Sequence, residues 1–227
     1  MIVFARPDVG KTAFWVSLVA SPNGFAWQEK KVSIFANEEP AIRTQMRLLN
    51  ASTGLQRGNI LNGSRDLAKQ KWSTISPYIE NFDCVGKTMD DLDEYCSTND
   101  VDILIIDQLD KINVTGKYNA THEKLREVYT QSRELAKRHN ILVIGMSQAS
   151  AEAQGRSRVT FSTMENSKTG KAAEADIILG IGKEDEVENY LEDCVRFVTL
   201  SKNKLTGDHA EFEVILRPTI SRYAERN

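Results

Sequence analysis

The chain has 227 residues, 41% hydrophobic and 27% charged, with a formal net charge of −3, which is ordinary globular usage and enough length for one or two domains with a sizeable core. It contains no run of about 18 apolar residues and no basic stretch leading into an apolar one, so a membrane-spanning helix is excluded and secretion is unsupported. A sequence pI near 5.7 counts against a protein that coats nucleic acid with its whole surface, and leaves room for a local basic channel.

In chain order, residues 1–4 are a short, β-branched apolar run and predict a strand. A turn through Gly10-Lys11-Thr12 leads into a helix over 13–20, broken by Ser21-Pro22-Asn23-Gly24. Residues 31–36 predict a second strand, and Pro40 belongs in the first turn of a helix carrying Ile42, Met46 and Leu49. Leu67, Trp72, Ile75, Tyr78 and Ile79 suggest one helix, and Thr88-Met89-Asp90-Asp91 reads as the cap of another. Residues 101–106 form a continuous apolar run broken only by Asp102, as does 141–146 without interruption; both suit strands buried on two faces of a parallel sheet. A long helix spans 120–139 between them. Residues 149–171 are polar and read as a long loop, 175–181 as a strand, and 195–201 with 210–216 as a hairpin around Leu205-Thr206-Gly207-Asp208. The alternation of strand and helix predicts a single α/β domain over 1–227, with a mainly parallel twisted sheet flanked by helices and a C-terminal β-hairpin. Cys84, Cys96 and Cys194 are odd in number, widely spaced and far from His122, His139 and His209, which predicts reduced thiols rather than a zinc site or disulfides.

Strand, then a turn ending Gly10-Lys11-Thr12, then helix is the setting in which backbone N–H groups and a helix N-terminus cradle phosphates. The loop predicted to bind nucleotide is Ala5, Arg6, Pro7, Asp8, Val9, Gly10, Lys11, Thr12 and Ala13. Gly10 lets the backbone approach closely, Lys11 reaches the β- and γ-phosphates of ATP, and the Thr12 hydroxyl ligates Mg²⁺. The pattern asks for glycine where Ala5 stands, a change tolerated if that φ is negative. Gly86-Lys87-Thr88 repeats the triplet without a matching segment before it. Asp107, ending the 101–106 strand, is the candidate second Mg²⁺ residue. Glu38 or Glu39, just past the second strand, is the candidate general base, and Gln148, past the 141–146 strand, the candidate sensor of the γ-phosphate.

The order of these motifs resembles the ATPase domain of DnaB-type hexameric replicative helicases, a RecA-like P-loop NTPase, over nearly the whole chain. Arg6-Pro7 through Gly10-Lys11-Thr12-Ala13-Phe14 is similar to the family's phosphate loop. Residues 32–40 with Arg43, Met46 and Arg47 resemble its catalytic strand and following helix, a register that makes Glu38 the base. Ile105-Ile106-Asp107 resembles its Mg²⁺ aspartate, and Met146-Ser147-Gln148 its sensor. Ser167-Lys168-Thr169-Gly170-Lys171 resembles the exit of its DNA loop. Ser201-Lys202-Asn203-Lys204-Leu205-Thr206-Gly207 resembles the hairpin whose basic residue reaches the neighbouring subunit's ATP.

The resemblance implies an ATP- and Mg²⁺-dependent helicase motor that moves on single-stranded DNA during replication, assembled as a homo-oligomer, a hexameric ring in the full-length protein. Glu38, Gln148 and Lys202 would be catalytic, and Lys202 with Lys204 would act in trans. Arg156, Arg158 and Lys168, with Lys117 as a weaker candidate, would meet DNA. A primase or loader is a possible partner, and the place of action is the cytoplasm of a bacterial or phage-infected cell. Three departures stand out. Lys202 replaces the usual arginine and cannot supply its bidentate fork. Glu165 stands where a DNA-contacting arginine is common. Met1 falls almost on the phosphate-loop strand, so the N-terminal domain and linker helix are expected to be absent; the divergent middle looks more like a phage-encoded member. Two rival functions remain: a RecA- or RadA-like recombination ATPase, and a non-motor nucleotide-binding accessory or loader module.

Overall fold

A computed structural model of the chain describes residues 1–116, 118, 120–165, 170–185 and 189–226. The first half runs β1 (Ile2–Ala5), α1 (Lys11–Ala20), β2 (Val32–Ala36), α2 (Ala41–Thr53), α3 (Arg57–Leu61), α4 (Arg65–Ile75), β3 (Ile79–Asp83) and α5 (Met89–Thr98). The second half runs β4 (Ile103–Asp107), α6 (Thr121–His139), β5 (Leu142–Gln148), α7 (Lys171–Glu174), β6 (Ile177–Gly182), α8 (Tyr190–Asp193), β7 (Val195–Asn203), β8 (Ala210–Arg217) and β9 (Arg222–Glu225). The strands form one sheet in the order β3-β2-β4-β5-β1-β6-β7-β8-β9. Pairing is parallel from β3 to β6 and antiparallel from β6 to β9.

The central strands are apolar on both faces, apart from Ser33 and the polar residues at their carboxyl ends, because helices cover both faces. In β1, Ile2 and Phe4 point into one core with Leu104, Ile106 and Val143, against Leu92 of α5 and Val128, Tyr129 and Leu135 of α6. Val3 and Ala5 point the other way, with Ile103, Ile105, Ile144 and Met146, against Trp15, Val16 and Val19 of α1 and Leu48 of α2. Adjacent residues thus separate into two cores, as the strand's period of two requires. The register then aligns four carboxyl ends on one edge: Ala5 opposite Gln148, and Ala36 opposite Asp107. Every candidate cis-acting residue lies on or just past that edge.

The α/β expectation holds, and the hairpin is present as β7 and β8, but three segments differ from the sequence reading. Residues 67–79 are not one helix: α4 ends at Ile75, Ser76–Tyr78 form a 3-10 turn containing Pro77, and Ile79 begins edge strand β3. Glu80, Asn81 and Asp83 are poor strand formers. Tertiary contacts hold them: Phe82 stacks on Phe35 at 5.1 Å, the Asn81 amide donates to Thr44 Oγ1 at 2.7 Å, and Asp83 Oδ1 accepts from Ala41 N at 2.7 Å. The hairpin gains a third strand, β9, which returns to pair with β8. Finally, the polar 149–165 segment is packed. Ala149, Ala153, Val159 and Met164 are buried, and Ala149 bridges Met164. Two smaller expectations were close. Pro40 caps α2 rather than joining its first turn. Thr88 closes a capping box with Asp91, whose carboxylate accepts from Thr88 N at 2.7 Å.

Candidate functional site

The turn after β1 is shaped by backbone. Ala5 is the last residue of that strand, in extended conformation, so the missing glycine costs nothing there. Asp8 and Gly10 take the left-handed region, at φ 62° and 112°, a conformation open to Asp and easiest for Gly. Gly10 is also hemmed in: a Cβ there would lie 2.7 Å from Tyr223 Oη and 2.8 Å from Leu216 Cδ2. α1 starts at Lys11, so its first free N–H groups face the turn.

At the sheet edge the candidates converge. Lys11 Nζ lies 3.3 Å from Glu38 Oε2 and 3.9 Å from Asp107 Oδ1. Asp107 Oδ2 accepts from Thr12 Oγ1 at 3.0 Å and from Trp15 Nε1 at 2.7 Å. Asp107 is only 2% exposed, and burial pushes its carboxyl above the usual range against the pull of the Lys11 charge and the Trp15 and Thr12 hydrogen bonds. Its Oδ1 is buried with no hydrogen-bond partner. An orphaned hard oxygen beside a hydroxyl is the donor set that Mg²⁺ takes when phosphate and water complete its octahedron. Among the described residues no cluster of three or more His, Cys, Asp or Glu side chains could form an all-protein metal cage. The residues present therefore fit Mg²⁺ held jointly with a phosphate.

The two glutamates both line the cleft and differ in their partners. Glu39 is clamped by Arg47, whose Nε and Nη2 donate at 2.9 and 2.7 Å. Glu38 accepts from Gln108 Nε2 at 2.8 Å. Gln108, buried, in turn accepts from Gln148 Nε2 at 3.4 Å. Asn37 fixes Gln108 through its backbone, accepting from Gln108 N at 2.6 Å. A cleft of about 290 Å³ is lined by Gly10, Lys11, Thr12, Glu38, Gln148 and neighbours.

Gln108, Arg196 and Tyr223 escaped the sequence reading. Arg196 on β7 is 5% exposed and donates from Nε to Val9 O at 2.6 Å. Tyr223 on β9 donates to Gly10 O at 3.2 Å and meets Phe14 edge-on at 5.4 Å between ring centres. The C-terminal strands thus brace the phosphate loop from behind. Arg6 ties the loop to the segment after β5, donating to Ala149 O at 3.1 Å. Only an unusually buried arginine late in the chain could have hinted at this, and burial is not visible in sequence.

The remaining candidates lie elsewhere. Lys202 does not reach this chain's own phosphate loop. Its ammonium donates to Ala172 O of α7, and Lys204 donates to Ala173 O at 3.1 Å. Burial, then the charge of Lys204, lowers the Lys202 pKa. Arg156 and Arg158 are exposed on the 149–165 segment, with Arg158 Nε 3.7 Å from Glu211. Lys117 and Lys168 lie outside the described residues.

Comparison with known proteins gives the family and the fold. The family model for the DnaB-like helicase C terminal domain matches residues 1–225. The replicative DNA helicase DnaB of Pasteurella multocida is 25% identical, over 98% of this chain and 50% of its own length. The replicative DNA helicase DnaC of Bacillus subtilis is 23% identical, over 85% and 44%. A probable plasmid replicative DNA helicase of Chlamydia trachomatis is 24% identical, over 90% and 46%. The chain thus spans about half the length of these curated relatives. Two solved structures share the fold at 19% identity over the whole chain. One is a DnaB-like replicative helicase described with its primase interactions, with 57% of its chain covered and a TM-score of 0.79. The other is the ATPase domain of G40P, with 84% covered and a TM-score of 0.80.

Proposed function

The chain belongs to the DnaB-like helicase C-terminal domain family, and from that premise we propose that it is the ATP-hydrolysing motor of a replicative DNA helicase. The observation that carries the reading is the convergence of Lys11, Thr12, Glu38 and Asp107 on one cleft, with a buried Asp107 oxygen left without a partner.

ATP binds with its phosphates over the loop before α1, where free backbone N–H groups and the Lys11 ammonium offset their charge. Thr12 and Asp107 would hold Mg²⁺, which neutralises charge building on the β- and γ-phosphate oxygens. Glu38 accepts a proton from water as its oxygen bonds to the γ-phosphorus. The bond to the bridging oxygen breaks, leaving ADP and phosphate. Arg47 engages both oxygens of Glu39, whereas the Lys11 contact and the Gln108 hydrogen bond of Glu38 both fall on Oε2, which favours Glu38 as the base. Gln108 holds Glu38 and Gln148 in one hydrogen-bonded line, so the sensor is positioned by the same residue as the base.

The partners belong to the same proposal: single-stranded DNA, met by Arg156 and Arg158 and by Lys117 and Lys168, further copies of the chain in a hexameric ring, and a primase or loader. Lys202, aided by Lys204, would serve a neighbour's ATP. DNA replication puts this work in the cytoplasm. Family membership favours this reading over the recombination ATPase and the non-motor accessory module.

Steady-state ATPase assays on paired variants test the assignment. Lys11→Ala should abolish hydrolysis, and unchanged turnover would refute the phosphate site. Glu38→Gln should bind ATP and stop hydrolysing it, while Glu39→Gln stays active. A dead Glu39→Gln beside an active Glu38→Gln would shift the base by one residue.

A further inference from the structure

Asp110 stands where four elements meet. It lies in the 3-10 turn just past Asp107. Its Oδ2 accepts from Ser147 Oγ at 2.7 Å and Gln148 N at 3.4 Å, at the end of β5. Its Oδ1 accepts from Tyr129 OH of α6 at 2.7 Å and from Lys171 Nζ of α7 at 2.6 Å. Lys171 is 1% exposed, with its ammonium 5.2 Å from the centre of the Tyr129 ring. A buried ammonium needs a partner, and Asp110 is the carboxylate that reaches it.

This pair does more than fill a core. α7 is a single turn with little hold of its own. Lys171 pins its start to the residue that also fixes the Gln148 backbone. Arg133 pins its end through Glu174, at 3.3 Å. The Ala172 and Ala173 carbonyls between them accept from Lys202 and Lys204. A continuous path of polar contacts therefore runs from Glu38 through Gln108 and Gln148 to Asp110, Lys171, α7 and the basic pair on β7.

We propose that Asp110 and Lys171 are positioning residues that tie α7, and with it Lys202 and Lys204, to the nucleotide state sensed at Gln148. The inference rests on the nucleotide site proposed above. Buried ion pairs are best suited to fixing register, since apolar substitutes usually match their stability. In a ring, the basic residues offered to one ATP would then move with the occupancy of another.

Two variants separate this role from simple core stability. Lys171→Met keeps the stem and removes the charge. Asp110→Asn/Lys171→Met also removes the opposing charge while leaving an acceptor for Ser147 and Gln148. Amide hydrogen exchange in residues 171–176 is followed with Mg·ATPγS and with Mg·ADP, and nucleotide affinity and melting temperature are measured on the same samples. The unsubstituted protein should show exchange in that segment differing between the two nucleotides on the order of tenfold. Both variants should bind each nucleotide with unchanged affinity and lose the difference. The double variant should lose it even though its melting temperature recovers. Persistence of the difference in the recovered double variant would overturn the proposal. So would nucleotide binding by the unsubstituted protein with no difference in 171–176, a result that leaves the ATPase reading intact. Absence of nucleotide binding would instead overturn the ATPase reading and this inference together.

Discussion

Asp107 shows how one residue's cost becomes its use. Its carboxylate is held against burial by Lys11, Trp15 and Thr12, and its pKa still lies above the ordinary range. A raised carboxyl pKa means the folded chain binds the proton more tightly than the unfolded one, so the charged form costs stability as pH rises through that pKa. Asp107→Asn removes the cost. Its melting temperature at neutral pH should equal or exceed that of the unsubstituted protein, while Mg²⁺-dependent hydrolysis falls by about 100-fold or more. A variant both destabilised and active would contradict this account. The buried thiols carry a second pH signature. Burial raises Cys84 to about 12 and Cys96 to about 11. Below the free thiol range their contribution to stability is complete. As pH rises from about 9 toward these values the unfolded chain releases protons that the folded chain keeps, so stability falls. The urea midpoint should drop across that window, and thiol reagents should label both residues slowly until the protein unfolds. At this scale the candidates Lys11, Thr12, Glu38 and Asp107, which the fold brings together, could be picked out in the sequence by residue type and position next to strand ends. Gln108, Arg196 and Tyr223 were not, because each acts on residues brought near only by folding.

Among the elements, the strongest signals came from β1, β4 and β5, whose short apolar runs suit strands buried on both faces. β3 and β9 were missed for the opposite reason: Asn81 and Asp83 are held by α2, Glu80 by Tyr95 of α5, and Tyr223 by Ser17 of α1. The 149–165 segment misled through composition, since only four scattered apolar residues, Ala149, Ala153, Val159 and Met164, dock it. Its backbone passes directly over β6, where carbonyls of Val159 and Ser157 occupy the space a side chain would need at Gly180 and Gly182. Gly182→Ala should therefore push the segment off the sheet and destabilise the fold by about 1–3 kcal/mol in urea unfolding. A neutral substitution would mean that the segment does not dock there. The α5 cap offers a contrasting local case. Thr88→Ala loses a reciprocal capping box and should cost about 1 kcal/mol without touching hydrolysis.

Across the whole molecule, a net charge of −3 is an average that hides its arrangement. Carboxylates and cations are interleaved at the sheet edge, while Arg156 and Arg158 stand exposed on a segment anchored to the phosphate loop by Arg6. Under the proposed function, that arrangement suits DNA threaded past a few cations rather than coated by a basic surface. If those arginines meet phosphates, affinity for single-stranded DNA should fall steeply with salt, and Arg156→Ala should flatten that slope by about one ion per site. A DNA-driven ATP motor whose base is Glu38 has a clear signature in Mg·ATP hydrolysis with and without single-stranded DNA, measured for the unsubstituted protein and for Glu38→Gln. DNA should raise hydrolysis severalfold, and the variant should bind ATP but stay silent with DNA present. Hydrolysis indifferent to DNA at every protein concentration, or surviving in Glu38→Gln, would contradict that assignment.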